Sequence, residues 1–206
     1  MSTKVLIFPQ RYVQGPNTLS QIGDHLEILG IKNPLVVGGP TALSVCRESI
    51  QQSVNAKGMT CTFQTFGGET SWSEINKIKE ACQSAGNDAI ISCGGGKVLD
   101  AGRTAAAANA INAGVVPPEA IEGVGAGVPC IQIPTIAATD APTAKVSVIY
   151  NEKGEFETFL IFPTNPAMVF VDTEVIAKAP TEQLVYGMGD ALATYFEADI
   201  SYRTAT

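Results

Sequence analysis

Short β-rich runs alternate with helical patterns along the N-terminal part of the chain. The predicted strands span residues 5–8, 35–37, 61–66, 89–93 and 130–133. Helical patterns over residues 16–29, 41–54 and 71–84 lie between them, and Ser71 with Glu74 predicts a capping box at the start of the last one. This alternation is typical of a doubly wound parallel sheet, so we predict a Rossmann-like α/β fold.

Glycines and small polar residues follow the predicted strands. They occupy residues 38–39, 67–68, 94–96 and 134–140. Ligands of a doubly wound sheet bind beyond the carboxyl ends of its strands. We therefore expect these four segments to gather along one edge of the sheet.

The triple glycine Gly94, Gly95 and Gly96 lies between the apolar run 89–93 and a segment, 104–113, that favours helix. Glycines at such a junction permit positive φ and close backbone approach, which leaves amide N–H groups and the positive end of a helix dipole free for an anion. The P-loop pattern is absent, because Ile91 and Val98 stand where it requires Gly and Ser or Thr. The local sequence is compatible with a phosphate cradle and with a tight turn that binds nothing.

Two further motifs contain carboxylates. PTIAATDAPT (134–143) follows an apolar run and surrounds Asp140 with hydroxyls, and GMGDALATYFEA (187–198) is predicted to open a helix with Asp190 in its first turn. Together with GGGKVLD (94–100), these motifs resemble the glycerol dehydrogenase branch of the iron-containing alcohol dehydrogenases. FGGE (66–69), SVIYNEKGEF (147–156) and NPAMVFVDTEVIAKAP (165–180) resemble the same branch. The resemblance runs from about residue 12 to residue 199.

The resemblance implies an NAD-dependent oxidoreductase that converts a small polyol, such as glycerol, to a hydroxyketone by zinc-assisted hydride transfer. It makes Asp140 the catalytic carboxylate on the substrate side and Asp190 a metal ligand. The residues that it assigns to the cofactor are Gly94, Gly95, Gly96, Lys97, Val98, Leu99, Asp100, Thr135, Ala138, Ala144, Val146 and Tyr150. From the residues alone, Asp140 is also compatible with a structural role in a turn. Asp190 is equally compatible with an ordinary carboxylate in the first turn of a helix.

The chain departs from the family pattern at three positions. The family commonly has serine where this chain has Ala138 and Ala144, so two polar contacts to the cofactor are expected to be missing. Close relatives have an aspartate where this chain has Gly39, and that carboxylate would bind the adenosine ribose and repel a 2′-phosphate. We therefore expect NAD as the cofactor, with relaxed discrimination against NADP.

Composition excludes other classes of function. The 206 residues have a net charge of −7, with only 13 Lys and Arg, so the chain lacks the basic surface that nucleic-acid binding needs. No apolar stretch has the length of a membrane span and no signal-peptide pattern is present, so we expect no membrane partner and a cytoplasmic location. Five cysteines without CxxC spacing predict reduced and mostly buried thiols, and His25 is predicted to be a helix residue and not a metal ligand.

The end of the chain has a different pattern. Residues 146–150 and 158–162 predict a β-hairpin whose turn contains Gly154, residues 112–128 predict a surface excursion, and the sequence after residue 172 is helical with a break at Pro180. We predict a dinucleotide-binding domain over residues 1–172 and the start of a helical metal and substrate domain, apparently truncated, over residues 173–206.

In the resembled family, two histidines of the later helical domain complete the zinc site, and no histidine follows Asp190 in this chain. The chain alone is therefore expected to lack a complete zinc site and to be inactive. The alternative interpretation is a non-catalytic dinucleotide-binding protein or fragment. A homo-oligomer is compatible with either.

Overall fold

The computed structural model describes residues 7–204. Its strands are β1 (Arg11–Gly15), β2 (Pro34–Gly38), β3 (Thr62–Thr65), β4 (Ala89–Gly94), β5 (Asn109–Asn112), β6 (Glu119–Glu122), β7 (Cys130–Pro134), β8 (Val146–Tyr150), β9 (Phe156–Ile161) and β10 (Met168–Asp172). Its helices are α1 (Ile22–Ile28), α2 (Pro40–Asn55), α3 (Trp72–Ser84), α4 (Gly96–Ala106), α5 (Thr173–Ala177) and α6 (Thr181–Thr204). Short 3-10 turns span Thr18–Gln21 and Ala141–Thr143.

Six strands form one parallel sheet in the order β1-β10-β7-β4-β2-β3. Parallel neighbours need crossover connections, which the helices and a hairpin supply. Every residue of β2, β4 and β7 is buried, because helices or further strands cover both faces of the sheet. The predicted Rossmann-like α/β class is confirmed.

The first strand differs from the prediction. Residues 5 and 6 of the predicted strand lie outside the described part of the chain, and residues 7–8 form no strand. The first strand described is β1, which pairs with β10, a strand that the sequence patterns did not predict. β1 lies at the sheet edge, where its residues alternate between half-buried and exposed, so its sequence RYVQG mixes polar and apolar residues and gives a weak strand signal.

The helix predicted over residues 104–113 was wrong in its bounds. α4 begins directly at Gly96 and ends at Ala106, and β5 follows it. The amides of Gly125, Ala126 and Val128 donate hydrogen bonds to the carbonyls of residues 105–107. The returning chain therefore satisfies the carbonyls at the end of α4, where a further helical turn would otherwise have done so.

A second sheet packs against α4, which lies between it and the parallel sheet. It is antiparallel, with the order β6-β5-β9-β8. The predicted hairpin is confirmed as β8 and β9, and Gly154 in its turn has a φ of 77°. The predicted surface excursion over residues 112–128 is largely exposed, as predicted, and it contains β6, which pairs with β5.

Alternate residues of the central strands build two cores. Ile91 and Cys93 of β4 face α1 and α2 on one side, whereas Ile90 faces α3 and α4 on the other. The predicted cap of α3 is confirmed in its first half, since Ser71 Oγ accepts a hydrogen bond from the Glu74 amide at 3.4 Å. The Glu74 carboxylate instead accepts a hydrogen bond from the Gly67 amide at 2.7 Å.

Asp172 connects the sheet to the C-terminal helices. Its buried carboxylate accepts hydrogen bonds from the amides of Asn17 and Leu19 and also caps α5. Beyond it, none of the residues of α6 is buried. The aromatic and aliphatic side chains of α6, such as Tyr186, Leu192 and Phe196, are therefore largely exposed.

Two composition-based predictions concern single residues. All five cysteines are free, and all except the half-buried Cys61 are buried, as predicted. His25 is half-buried on α1, where its ring meets Phe170 edge-on with 5.1 Å between centroids, so its prediction as a helix residue is confirmed. Among residues 7–204, no helix combines the length and apolarity needed to cross a membrane.

Candidate functional site

The junction of β4 and α4 has the backbone conformation expected of an anion cradle. Gly94 has a φ of 148°, and a Cβ there would lie 2.6 Å from Val98 Cγ1, so the position requires glycine. Gly95 precedes the helix in an extended conformation and provides no side-chain cap. Within residues 7–204, nothing accepts a hydrogen bond from the amides of Gly96, Lys97 and Val98. The positive end of α4 is therefore open to a ligand.

A cavity of about 670 Å³ lies in front of this junction. We call it the glycine-turn cavity. Its walls are the segments after β2, β3, β4 and β7, together with residues 175–183, and its lining includes Gly39, Phe66, Gly68, Gly94, Gly95, Gly96, Lys97, Val98, Thr135, Ile136, Val175, Lys178 and Gln183. The expectation that the segments after the strands gather at one sheet edge is confirmed.

Six of the twelve predicted cofactor residues line this cavity, namely Gly94, Gly95, Gly96, Lys97, Val98 and Thr135. The remaining six do not. Leu99 is fully buried, and its carbonyl accepts a hydrogen bond from Gln132. Ala144 lines a separate small cavity beside Asn165. Tyr150 donates its amide to the Thr70 carbonyl at 2.9 Å.

Asp100 is held by a buried arginine. Arg103 is 3% exposed, and its Nη1 lies 2.8 Å from Asp100 Oδ1, while Asp100 Oδ2 accepts the Val148 amide at 2.9 Å. Arg103 also donates to the carbonyls of Val146 and Ala141. Burial raises the pKa of Asp100, the charge of Arg103 and the Val148 amide lower it, and the charge of Asp140 raises it further.

This arrangement gives Asp100 and Val146 structural contacts in the described chain. Through Arg103, they join α4 to β8 and to the turn that follows Asp140. Arg103 was not among the residues predicted from the sequence. The available signal was an arginine three residues after an aspartate in an otherwise apolar and alanine-rich helix, which is the spacing of an ion pair on one helix face.

Lys97 forms an ion pair that was not predicted from the sequence. Its Nζ lies 2.7 Å from Glu69 Oε2, in the loop after β3. Burial acts to raise the pKa of Glu69, but the hydrogen bonds from Lys97 and from the Thr70 amide, together with the charge of Lys97, lower it overall. Glu69 is the last residue of the FGGE motif, but its spacing from Lys97 in the sequence does not predict that the two side chains form an ion pair.

The two carboxylates assigned to chemistry lie on elements that touch. Asp140 is exposed and leads into the 3-10 turn, with no side-chain cap hydrogen bond. Gly187 of α6 packs against the backbone of Ala137 and Ala138, so tightly that a Cβ there would overlap the Ala137 carbonyl. Asp190 lies one turn further along the same side of α6.

Asp190 was predicted to lie in the first turn of a helix, and this prediction is wrong. α6 already begins at Thr181, and Gly187 and Gly189 are helical residues within it. Stabilisation of Asp190 by the positive end of a helix dipole is therefore excluded as its role. No group of three or more His, Cys, Asp or Glu side chains suited to a metal ion is present in the described range 7–204.

The sheet topology and the cavity at its carboxyl edge place the chain among doubly wound α/β proteins. The sequence model described as iron-containing alcohol dehydrogenase matches residues 9–173. The chain belongs to this family.

Individual relatives are more specific. The glycerol dehydrogenase of Pseudomonas putida is 37% identical over 197 residues, which are 96% of this chain and 49% of that protein. The glycolaldehyde reductase of Halobacterium salinarum is 39% identical over 96% of this chain and 49% of its own length. The crystal structure of glycerol dehydrogenase from Schizosaccharomyces pombe matches with a TM-score of 0.78 and 31% identity, over 95% of this chain and 45% of that one.

These relatives confirm the predicted resemblance to glycerol dehydrogenases. The chain spans about half the length of the curated relatives it matches.

Proposed function

We propose that this chain is the nucleotide-binding half of an NAD-dependent oxidoreductase of the glycerol dehydrogenase type. The whole protein would oxidise a small polyol to a hydroxyketone by metal-assisted hydride transfer. The observation that supports this most is the glycine-turn cavity, because open helix amides and a glycine with positive φ face it from the carboxyl edge of the sheet.

The residues of the cavity fit a dinucleotide. The amides of Gly96, Lys97 and Val98 point a helix N-terminus at the pyrophosphate, and the Lys97 ammonium adds a charge-assisted contact. Thr135 offers a hydroxyl beside the glycine turn, since its amide donates to the Gly94 carbonyl at 3.1 Å. NAD, when bound, supplies the acceptor for the hydride. The apolar side chains of Phe66, Ile136 and Val175 would exclude water from the flat rings of the cofactor.

Asp140 is proposed to accept hydrogen bonds from a hydroxyl of the polyol, since it is exposed, has no cap partner and lies beyond the carboxyl end of β7. Asp190 is proposed as one metal ligand. A catalytic zinc needs about three protein ligands, and no group of that size is found in the described part of this chain. The described residues therefore do not fit a complete zinc site.

The same reasoning extends to the organisation of the protein. We propose residues 1–172 as the dinucleotide-binding domain and residues 173–206 as the beginning of a helical metal and substrate domain, although α5 and the start of α6 also line the glycine-turn cavity. Free cysteines and the acidic charge support a cytoplasmic location, without a nucleic-acid or membrane partner. Association into a homo-oligomer stays a proposal.

A second candidate function is dinucleotide binding without catalysis. It is favoured by one observation, the lack of a three-ligand metal group within residues 7–204.

Both candidates require the cavity to bind a dinucleotide, and calorimetric titration of NAD into the 206-residue chain tests this. We expect saturable binding of one NAD. ADP-ribose, which retains the pyrophosphate, should compete, whereas adenosine should bind far more weakly. If NAD gives no saturable heat, both candidates fail.

A further inference from the structure

Glu69 is the ion-pair partner of a lysine that lines the glycine-turn cavity. Lys97 is the lysine of the triple-glycine motif and lines the glycine-turn cavity. Its Nζ donates to Glu69 Oε2 at 2.7 Å, with the lysine side chain 57% and the glutamate side chain 28% exposed. The same ammonium that would contact a phosphate is therefore already paired with a carboxylate of the chain.

The loop that presents Glu69 is held in place by backbone contacts. Glu69 Oε1 accepts a hydrogen bond from the Thr70 amide at 3.0 Å, and Thr70 Oγ1 donates to the Lys97 carbonyl at 2.8 Å. On the other side, the Gly67 amide donates to the buried Glu74 carboxylate at 2.7 Å. Hydrogen bonds therefore hold the loop on both sides of Glu69, and they place the Glu69 carboxylate next to Lys97.

The hairpin of the second sheet borders the same ion pair. The Tyr150 amide donates to the Thr70 carbonyl at 2.9 Å, and a Cβ on Gly154 would lie 3.7 Å from Glu69 Oε2. Trp72, the only tryptophan of the chain, follows Glu69 by three residues. Its Nε1 donates a hydrogen bond to the Glu157 carboxylate of β9 at 3.1 Å. A rearrangement at Glu69 should therefore change the fluorescence emission of Trp72.

The charges decide what such an arrangement does. A pyrophosphate at the glycine turn brings negative charge to the amides of α4 and needs the Lys97 ammonium as a counter-charge. The Glu69 carboxylate competes for that ammonium. An exposed ion pair is weak, so a phosphate that also gains several amide contacts displaces it. A glutamate is ionised at neutral pH even at its ordinary pKa, so the competing carboxylate carries its charge there.

We propose that Glu69 is an internal competitor for Lys97 that sets the affinity of the glycine-turn cavity for dinucleotides. An incoming phosphate takes Lys97 from Glu69, and the freed carboxylate turns towards solvent beside the hairpin. This inference rests on the proposed function, since it assumes that the anion at the glycine turn is a dinucleotide pyrophosphate.

A double-mutant cycle tests the competition, with NAD and inorganic pyrophosphate as probes in calorimetry. Glu69→Gln should tighten the binding of both probes by about two- to fivefold, the range that an exposed ion pair allows. In the Lys97→Met background, Glu69→Gln should change the affinity much less, because no ammonium is left to compete for. Glu80→Gln is the matched control, since Glu80 is exposed on α3 outside the cavity lining and the charge change is the same.

Trp72 provides a second readout. Saturation with pyrophosphate should shift the Trp72 emission in the parent and much less in Glu69→Gln, where the ion pair is already broken. An equal tightening by Glu69→Gln with and without Lys97 would overturn the proposal, because it would mean simple repulsion across the cavity. An unchanged affinity in Glu69→Gln would overturn it as well.

Failure of the proposed function has a different signature. If pyrophosphate binds with the expected cycle but NAD does not bind, the competition stands and the dinucleotide assignment fails. If NAD binds and the cycle shows no coupling, the dinucleotide assignment stands and the role of Glu69 fails. Binding of neither probe overturns both.

Discussion

Arg103 and Asp100 form an ion pair within α4, with 2.8 Å between Nη1 and Oδ1, beneath the turn that carries Asp140. The arginine is 3% exposed and also donates to the carbonyls of Ala141 and Val146. The side chain therefore connects three elements, α4, the 3-10 turn and β8. A charge this deeply buried is tolerated only because its partners are fixed around it.

Arg103→Met should destabilise the chain strongly. The variant leaves the Asp100 carboxylate buried without its counter-charge, and two carbonyls lose their donor, so we expect a loss of about 3–5 kcal/mol in the free energy of unfolding. Urea unfolding monitored by circular dichroism measures this. Arg203→Met is the control, because Arg203 pairs with Asp199 on the exposed surface of α6 and its loss should cost about 0.5 kcal/mol or less. Equal losses in the two variants would contradict the structural role of Arg103.

Asp100 should also leave a mark on the pH dependence of stability. Its pKa is raised above the ordinary value of 3.8, chiefly by burial, so the folded chain holds this proton more tightly than the unfolded chain does. The stability contributed by the protonated group is fully present below the unfolded pKa and is lost as the pH rises through the folded pKa. Relative to Asp100→Asn, the parent should therefore lose stability as the pH rises from about 4 through that value. Urea unfolding of both proteins at a series of pH values measures this. A parent that gains stability relative to Asp100→Asn as the pH rises would be inconsistent with a raised pKa.

Gly95→Val tests the glycine turn directly. Gly95 has an extended backbone, and its nearest neighbour would be the flexible end of Ile136, 3.1 Å from a new Cβ, so the fold should survive. The added branch would stand where the pyrophosphate approaches and should weaken NAD binding by at least about tenfold. Gly189→Val on α6 is the control, since a Cβ there meets nothing within 4 Å. Unchanged NAD affinity in Gly95→Val, with an unchanged circular dichroism spectrum, would rule out the cradle.

Gly39→Asp tests the choice between NAD and NADP. Gly39 lines the glycine-turn cavity, and a Cβ there meets nothing within 4 Å, so an aspartate is accommodated without strain. Its carboxylate would accept hydrogen bonds from the adenosine ribose and repel a 2′-phosphate, which should raise the ratio of NAD to NADP affinity. Gly39→Asn separates charge from size and should change the ratio less. An unchanged ratio in Gly39→Asp would show that this end of β2 does not face the adenosine.

Apolar runs predicted four of the six strands of the parallel sheet. β2, β4 and β7 are buried on both faces, so their apolar runs were recognisable, whereas β1 is half-exposed and was missed. The buried strand β10 was missed as well, although its sequence MVFVD is mostly apolar. The glycine turn was predicted correctly because its conformation depends on the backbone freedom of consecutive glycines, which the sequence shows directly. The ion pairs of Lys97 with Glu69 and of Arg103 with Asp100 determine which predicted cofactor residues remain available. The first depends on loops from different strands meeting in space, which no spacing in the sequence reveals.

The last prediction concerns the metal. Asp190 offers one carboxylate on α6, Asp140 is proposed for the substrate, His25 packs against Phe170 on α1, and four of the five cysteines are buried. Since no three-ligand group is found in the range 7–204, a zinc bound to this chain would lack the coordination that a catalytic site requires. We expect less than one zinc per chain after dialysis, measured by plasma emission spectroscopy, and no oxidation of glycerol with NAD. Asp190→Ala should change neither result, whereas one tightly held zinc per parent chain, lost in Asp190→Ala and accompanied by glycerol turnover, would contradict the ligand count.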